Sequence, residues 1–210
     1  KKSKNRILTL FGSGETSPHM AKNYRHIIDG LSYDLQKNLL LDTPFGFQEN
    51  NMILSKKIQD YFASKINLKL KSLNLTSEES YSNEHTALLN NADFIFSGPG
   101  SPTYASKIWL KHNLGDVLKN KLKSGVVMAF ASAAALTLGR YVIPVYEIYK
   151  VGDLQRLNEG LNVLDFLGKD TVIVPHFNNQ EGGDHDTSHC FIGKKRFNNL
   201  IDGLDVITIG

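Results

Sequence analysis

With 210 residues, 41% of them hydrophobic and 21% charged, the chain has an ordinary globular composition and can bury a core without disulfides or metals. The net charge of +3 comes from scattered Lys and Arg, apart from Lys1, Lys2, Lys4 and Arg6, which read as a solvated terminus rather than a nucleic-acid arm. Cys190 is the only cysteine, which excludes an intramolecular disulfide. No apolar run approaches the roughly 20 residues that span a bilayer, and no leader pattern is present. A cytoplasmic protein without membrane or nucleic-acid contacts is therefore expected, as one domain over residues 1–210. Both ends read as trimmed, since the chain begins at Lys1 and stops at Gly210 just after an apolar run.

Residues 6–11 form a short apolar run closed by Gly12, Ser13 and Gly14, a strand entering a tight turn. A helix over 18–31 and a strand over 37–42 follow. The spacing of Ile53, Leu54, Ile58, Tyr61 and Phe62 predicts a helix over 49–66, and alternation predicts a strand over 68–75. A short helix over 83–90 precedes a buried strand over 92–97, stopped by Gly98, Pro99 and Gly100. Helical signals return over 102–123, broken near Asn113 and Gly115. Val126 to Phe130 is another buried strand, and it runs through Ser132 into a helix of small residues. Residues 141–159 carry no clear pattern; beyond them come a strand over 171–174, a helix over 187–201 and a strand over 206–209. Such alternation, with strands apolar on both faces, predicts an α/β fold whose mostly parallel sheet is covered by helices on each side. Ligands then bind at the carboxyl ends of the strands. Three small-residue turns fall there, at 12–15, 98–101 and 131–134.

A strand that stops at a serine and turns directly into a helix is how hydrolases present a nucleophile. Serine at such a junction also serves as a simple cap. Its hydroxyl needs a neighbouring base, and of the seven histidines His176 is the best placed, following a strand on the same edge. Backbone N–H groups of Ala133 and of Gly98 or Gly100 are the candidates for an oxyanion hole, whereas Pro99 has no N–H to give. After His176 the loop is densely polar and carries Asn178, Glu181, Asp184, His185, Asp186 and His189. It shows no established metal-binding spacing, so no metal or other cofactor is expected; metal-assisted hydrolysis through this loop is the minor alternative. Cys190 reads as a buried residue within the last helix, and Glu147 and Tyr149 as either pocket lining or packing.

Taken together, the stretches 96–104, 130–136, 144–150 and 175–179 resemble the serine peptidase family of cyanophycinase and dipeptidase E. That family lies within the class I glutamine amidotransferase-like superfamily. The resemblance covers essentially the whole chain and implies a three-layer, doubly wound, flavodoxin-like fold. It implies a peptidase or amidase with Ser132 as nucleophile and His176 as base, acting on a small peptide or amide, and it allows a homodimer. Phe130 and Ala134 stand where the family's elbow usually carries glycine, and Ser101 where it carries a substrate-binding amide. The acid of the triad falls either beyond Gly210 or on Glu181 or Asp184. A second reading is a binding module of the same fold without turnover; a Ser132 hydroxyl more than about 5 Å from the His176 ring would favour it.

Overall fold

Strands and helices alternate along residues 6–210, the part of the chain that the computed structural model describes. The basic cluster at Lys1, Lys2 and Lys4 lies outside it. In order the elements are β1 (Leu8–Phe11), α1 (Met20–Asp29), β2 (Asn38–Leu41), α2 (Asn51–Tyr61), β3 (Lys71–Ser72), α3 (Asn83–Asn91), β4 (Phe94–Ser97) and α4 (Pro102–Lys111). Next come α5 (Leu114–Lys123), β5 (Val127–Ala131), α6 (Ser132–Leu136), β6 (Tyr141–Val142), β7 (Asn158–Glu159), β8 (Thr171–Val174), α7 (Lys194–Leu200) and β9 (Asp205–Thr208). The expected break between the helices of 102–123 falls at Asn113, which takes a left-handed φ of 56°.

Hydrogen bonding resolves the expected central sheet into two parts. One has the order β1-β5-β4-β2-β3 with every pair parallel, and the other the order β7-β6-β8-β9 with only β6 and β7 antiparallel. The two approach each other at their edge strands. A side chain on Gly12, just after β1, would lie 2.5 Å from the Gly210 carbonyl, just after β9, and Leu8, Leu10, Ile207 and Ile209 pack against one core cluster.

Because successive side chains of a strand point to opposite faces, the first sheet feeds two cores. Leu39, Leu41, Ile95, Met128 and Phe130 pack with Ile108, Trp109, Leu114 and Leu118 of α4 and α5. Leu40, Phe94, Phe96, Val127 and Ala129 pack instead with Tyr24 of α1 and with Ile58 and Phe62. This is the three-layer, mostly parallel α/β architecture, and it explains why these strands read as continuous apolar runs.

Three expectations are corrected. The strand over 68–75 pairs only at Lys71–Ser72, because Asn74 adopts a left-handed φ of 59° and its N–H turns to the Asp42 carboxylate at 3.0 Å. The helix over 187–201 shrinks to Lys194–Leu200, since His189, Cys190 and Phe191 take φ values of 54°, 62° and 67°, incompatible with a right-handed helix. Cys190 is buried as expected but sits in that loop. Residues 141–159, unreadable as a pattern, hold the short β6 and β7 around a single wide helical turn at Glu147–Val151.

Candidate active site

β5 delivers Ser132 to the carboxyl edge of the first sheet. Ser132 has a φ of 49°, left-handed and costly for a residue with a Cβ, while the helix that follows is right-handed. The surroundings hold this turn. Ala133, Ala134 and Ala135 are all buried, the Ala134 N–H donates to the Gly98 carbonyl at 3.1 Å, and α6 packs on β1, β5, β8 and α4. Small side chains are what let a helix lie this close to four neighbours. Phe130, at an expected glycine position, points into the core, where its ring meets Trp109 edge-on at 6.5 Å. The bulk therefore lies inside the fold, away from the turn.

β8 delivers His176 from the second sheet. This residue too is left-handed, with a φ of 50°, and its carbonyl accepts N–H bonds from Asn179 at 3.2 Å and Cys190 at 3.3 Å. The loop that was expected to be helical thus clamps the histidine backbone. Nε2 of His176 lies 2.8 Å from Oγ of Ser132. Burial holds the imidazole pKa below its ordinary value, and the charge of Glu181 partly offsets that effect. A neutral ring whose Nε2 is unprotonated accepts the serine hydroxyl proton.

A cavity of about 300 Å³ opens over this pair and is lined by Gly100, Ala133 and Glu181 among others. Gly100 has a φ of 141°, and a Cβ there would stand 2.1 Å from the Pro44 carbonyl, so the loop passes this point only as glycine. Ala133 lies in the first turn of α6, where N–H groups have no acceptor within the helix. Gly98 does not line the cavity; it serves through its carbonyl, bonded to Ala134.

The remaining candidates separate. Ser101 caps α4 by accepting the Tyr104 N–H at 3.1 Å and faces a neighbouring cavity. Asn178 packs against Gly210, and Asp184 is exposed and outside the cavity wall. Of the two proposed acids only Glu181 reaches the cavity. Tyr146, Tyr149, Lys150, Cys190 and Phe191 also line it. The first three lie in the 144–150 run already marked by the resemblance; Phe191 carried no signal, because its position depends on the left-handed loop. Burial pushes the Cys190 thiol pKa far up. Among the described residues no group of three or more His, Cys, Asp or Glu side chains is placed to hold a metal ion, and no helix is long and apolar enough to cross a membrane.

Residues 8–202 match the sequence profile of peptidase family S51. No curated protein matches the chain. Its fold is similar to that of a peptidase from an acI-B1 Actinobacterium, at 22% identity and a TM-score of 0.72, covering 98% of this chain and 82% of the other. It is also similar to a peptidase E-type protein from Listeria monocytogenes EGD-e, at 15% identity and a TM-score of 0.63, covering 97% of this chain and 90% of the other.

Proposed function

The chain belongs to peptidase family S51, and on that premise we propose that it hydrolyses a peptide or amide bond, with Ser132 as nucleophile and His176 as general base. The observation that carries this reading is the 2.8 Å approach of Oγ to Nε2 between two residues held in left-handed turns. That separation is far inside the roughly 5 Å beyond which a purely binding role would be the better account.

In the reaction Ser132 gives its proton to Nε2 and attacks the scissile carbonyl, and the developing oxyanion meets the N–H groups of Ala133 and Gly100. The resulting imidazolium returns the proton to the leaving amine. Water, activated by the same histidine, then releases the acyl group. Glu181 supplies negative charge to the imidazolium from within the same cavity. It therefore supports the base electrostatically.

A fluorophosphonate probe tests the assignment. It is expected to label the wild-type protein and to leave Ser132→Ala and His176→Ala unlabelled. Equal labelling of Ser132→Ala would show that the nucleophile lies elsewhere.

A further inference from the structure

A second cavity, of about 680 Å³, lies beside the one over Ser132 and His176, and Tyr146 and Lys150 belong to both walls. Three aromatic rings define it. Phe47 and Tyr104 meet edge to face at 5.3 Å, and Phe47 and Tyr146 are 50% and 42% exposed. A single exposed ring means little, but three lining one cavity make an apolar surface left open to a partner. The polar groups of the same wall are committed elsewhere. The Tyr104 hydroxyl donates to the Thr76 carbonyl at 2.6 Å, and the Ser101 hydroxyl accepts the Tyr104 N–H. Lys107 pairs with Glu78 at 2.6 Å, and the Lys150 ammonium sits 4.5 Å from the centre of the Tyr149 ring. Oε2 of Glu147 and Oγ1 of Thr103 are sealed from solvent and offer the cavity nothing.

We infer that this second cavity takes a large uncharged side chain of the substrate, aromatic or branched aliphatic, which packs on the Phe47, Tyr104 and Tyr146 rings. The inference deepens the hydrolase reading and rests on it. Continuity of the two cavities identifies the occupant: a substrate that extends from a carbonyl at Ser132 past the shared Tyr146 meets the aromatic wall. Such a group gains there from burial and from ring contacts. A charged side chain would give up water against ring carbon, with both lysines already engaged. Phe47 is the residue to vary, since it lines the second cavity and not the one over Ser132.

The test compares wild type, Phe47→Ala and Phe47→Leu on dipeptides that carry phenylalanine, leucine, alanine, lysine or glutamate on either side of the scissile bond. On one side of the bond phenylalanine or leucine is expected to exceed alanine about tenfold in kcat/KM, with lysine and glutamate no better than alanine. Phe47→Ala should bring that ratio to within about threefold of one, while alanine substrates and fluorophosphonate labelling stay unchanged. Phe47→Leu should keep most of the preference, and circular dichroism checks the fold of each variant. A direct reading comes from NMR shifts of the intact protein titrated with benzyl alcohol, expected around Phe47, Tyr104 and Tyr146 and lost in Phe47→Ala. A flat dipeptide series, a preference for a charged side chain, or an apolar preference that survives in Phe47→Ala would overturn the inference. Should the labelled protein turn over none of the dipeptides, the titration decides, and absent shifts overturn it. Benzyl alcohol binding at these rings in a protein that no fluorophosphonate labels would leave the aromatic site standing and remove the hydrolase reading instead.

Discussion

Replacing Ser132 by glycine and by alanine separates its chemistry from its backbone strain. Both variants lose the hydroxyl and its contact with His176, so that contribution, about 1 kcal/mol net, cancels between them. They differ in the left-handed φ of 49°. Alanine keeps a Cβ and with it a penalty of about 1–2 kcal/mol, whereas glycine removes the penalty but adds about 0.5–1 kcal/mol of unfolded-state entropy. The balance favours Ser132→Gly over Ser132→Ala by about 0.5–1 kcal/mol. For a chain of this size that corresponds to a Tm about 1–4 °C higher, within reach of calorimetry on the two proteins side by side. Both should be dead to the fluorophosphonate probe. Ala133→Gly is the control, because Ala133 is helical and not left-handed, and it should lower the Tm. A Ser132→Gly protein that melts at or below Ser132→Ala would refute the strained-turn account.

The pH profile of kcat/KM should rise with pH through a single inflection below about 6.5 and then level off, because burial depresses the His176 pKa and only the neutral ring accepts a proton. Glu181→Gln removes a charge that favours the imidazolium, so the inflection should move further down; an upward shift would contradict the electrostatic role. Gly100→Ala forces a Cβ to within 2.1 Å of the Pro44 carbonyl and should cost more than about 2 kcal/mol in urea unfolding while abolishing probe labelling. Thr43→Val should cost about 1–3 kcal/mol at an unchanged m-value. Its hydroxyl accepts the buried Trp109 indole N–H at 2.9 Å and donates to the Leu75 carbonyl at 2.7 Å, and Thr43→Ser should retain most of that stability.

The central strands were legible because they are buried on both faces, so an apolar run was sufficient signal for β2, β4, β5 and β8, and small-residue turns closed β4 and β5. The ends of these strands located the two site residues, Ser132 directly after β5 and His176 one residue beyond β8. Sequence failed where tertiary bonds override local pattern. Residues 189–191 contain no glycine and look helical, yet the His189 N–H donates to the Phe177 carbonyl at 2.8 Å and Cys190 to that of His176, which fixes a left-handed path. Asp42 likewise captures Asn74 and cuts β3 short. Glu181 and Asp184 are equivalent acids in a polar loop as far as sequence can tell; the course of the loop decides that only Glu181 lines the cavity. Strand composition also carries no information about which strands pair, so the division into two sheets was not readable.

That division has a consequence for how the molecule acquires and loses activity. Ser132 terminates a strand of one hydrogen-bonded unit and His176 a strand of the other, so each ladder can be complete while the two residues remain apart. Secondary structure should therefore return before turnover during refolding, and turnover should report the docking step. Because an ångström of misplacement can lower a rate by about 10²-fold, a slight slip between the sheets would silence the protein well before either one melts. The apolar contact that resists such a slip includes Leu8 and Leu10 on one side and Ile207 and Ile209 on the other. Those half-buried aliphatic side chains act as the hinge pin of the reaction while contributing no atom to the cavity over Ser132 and His176.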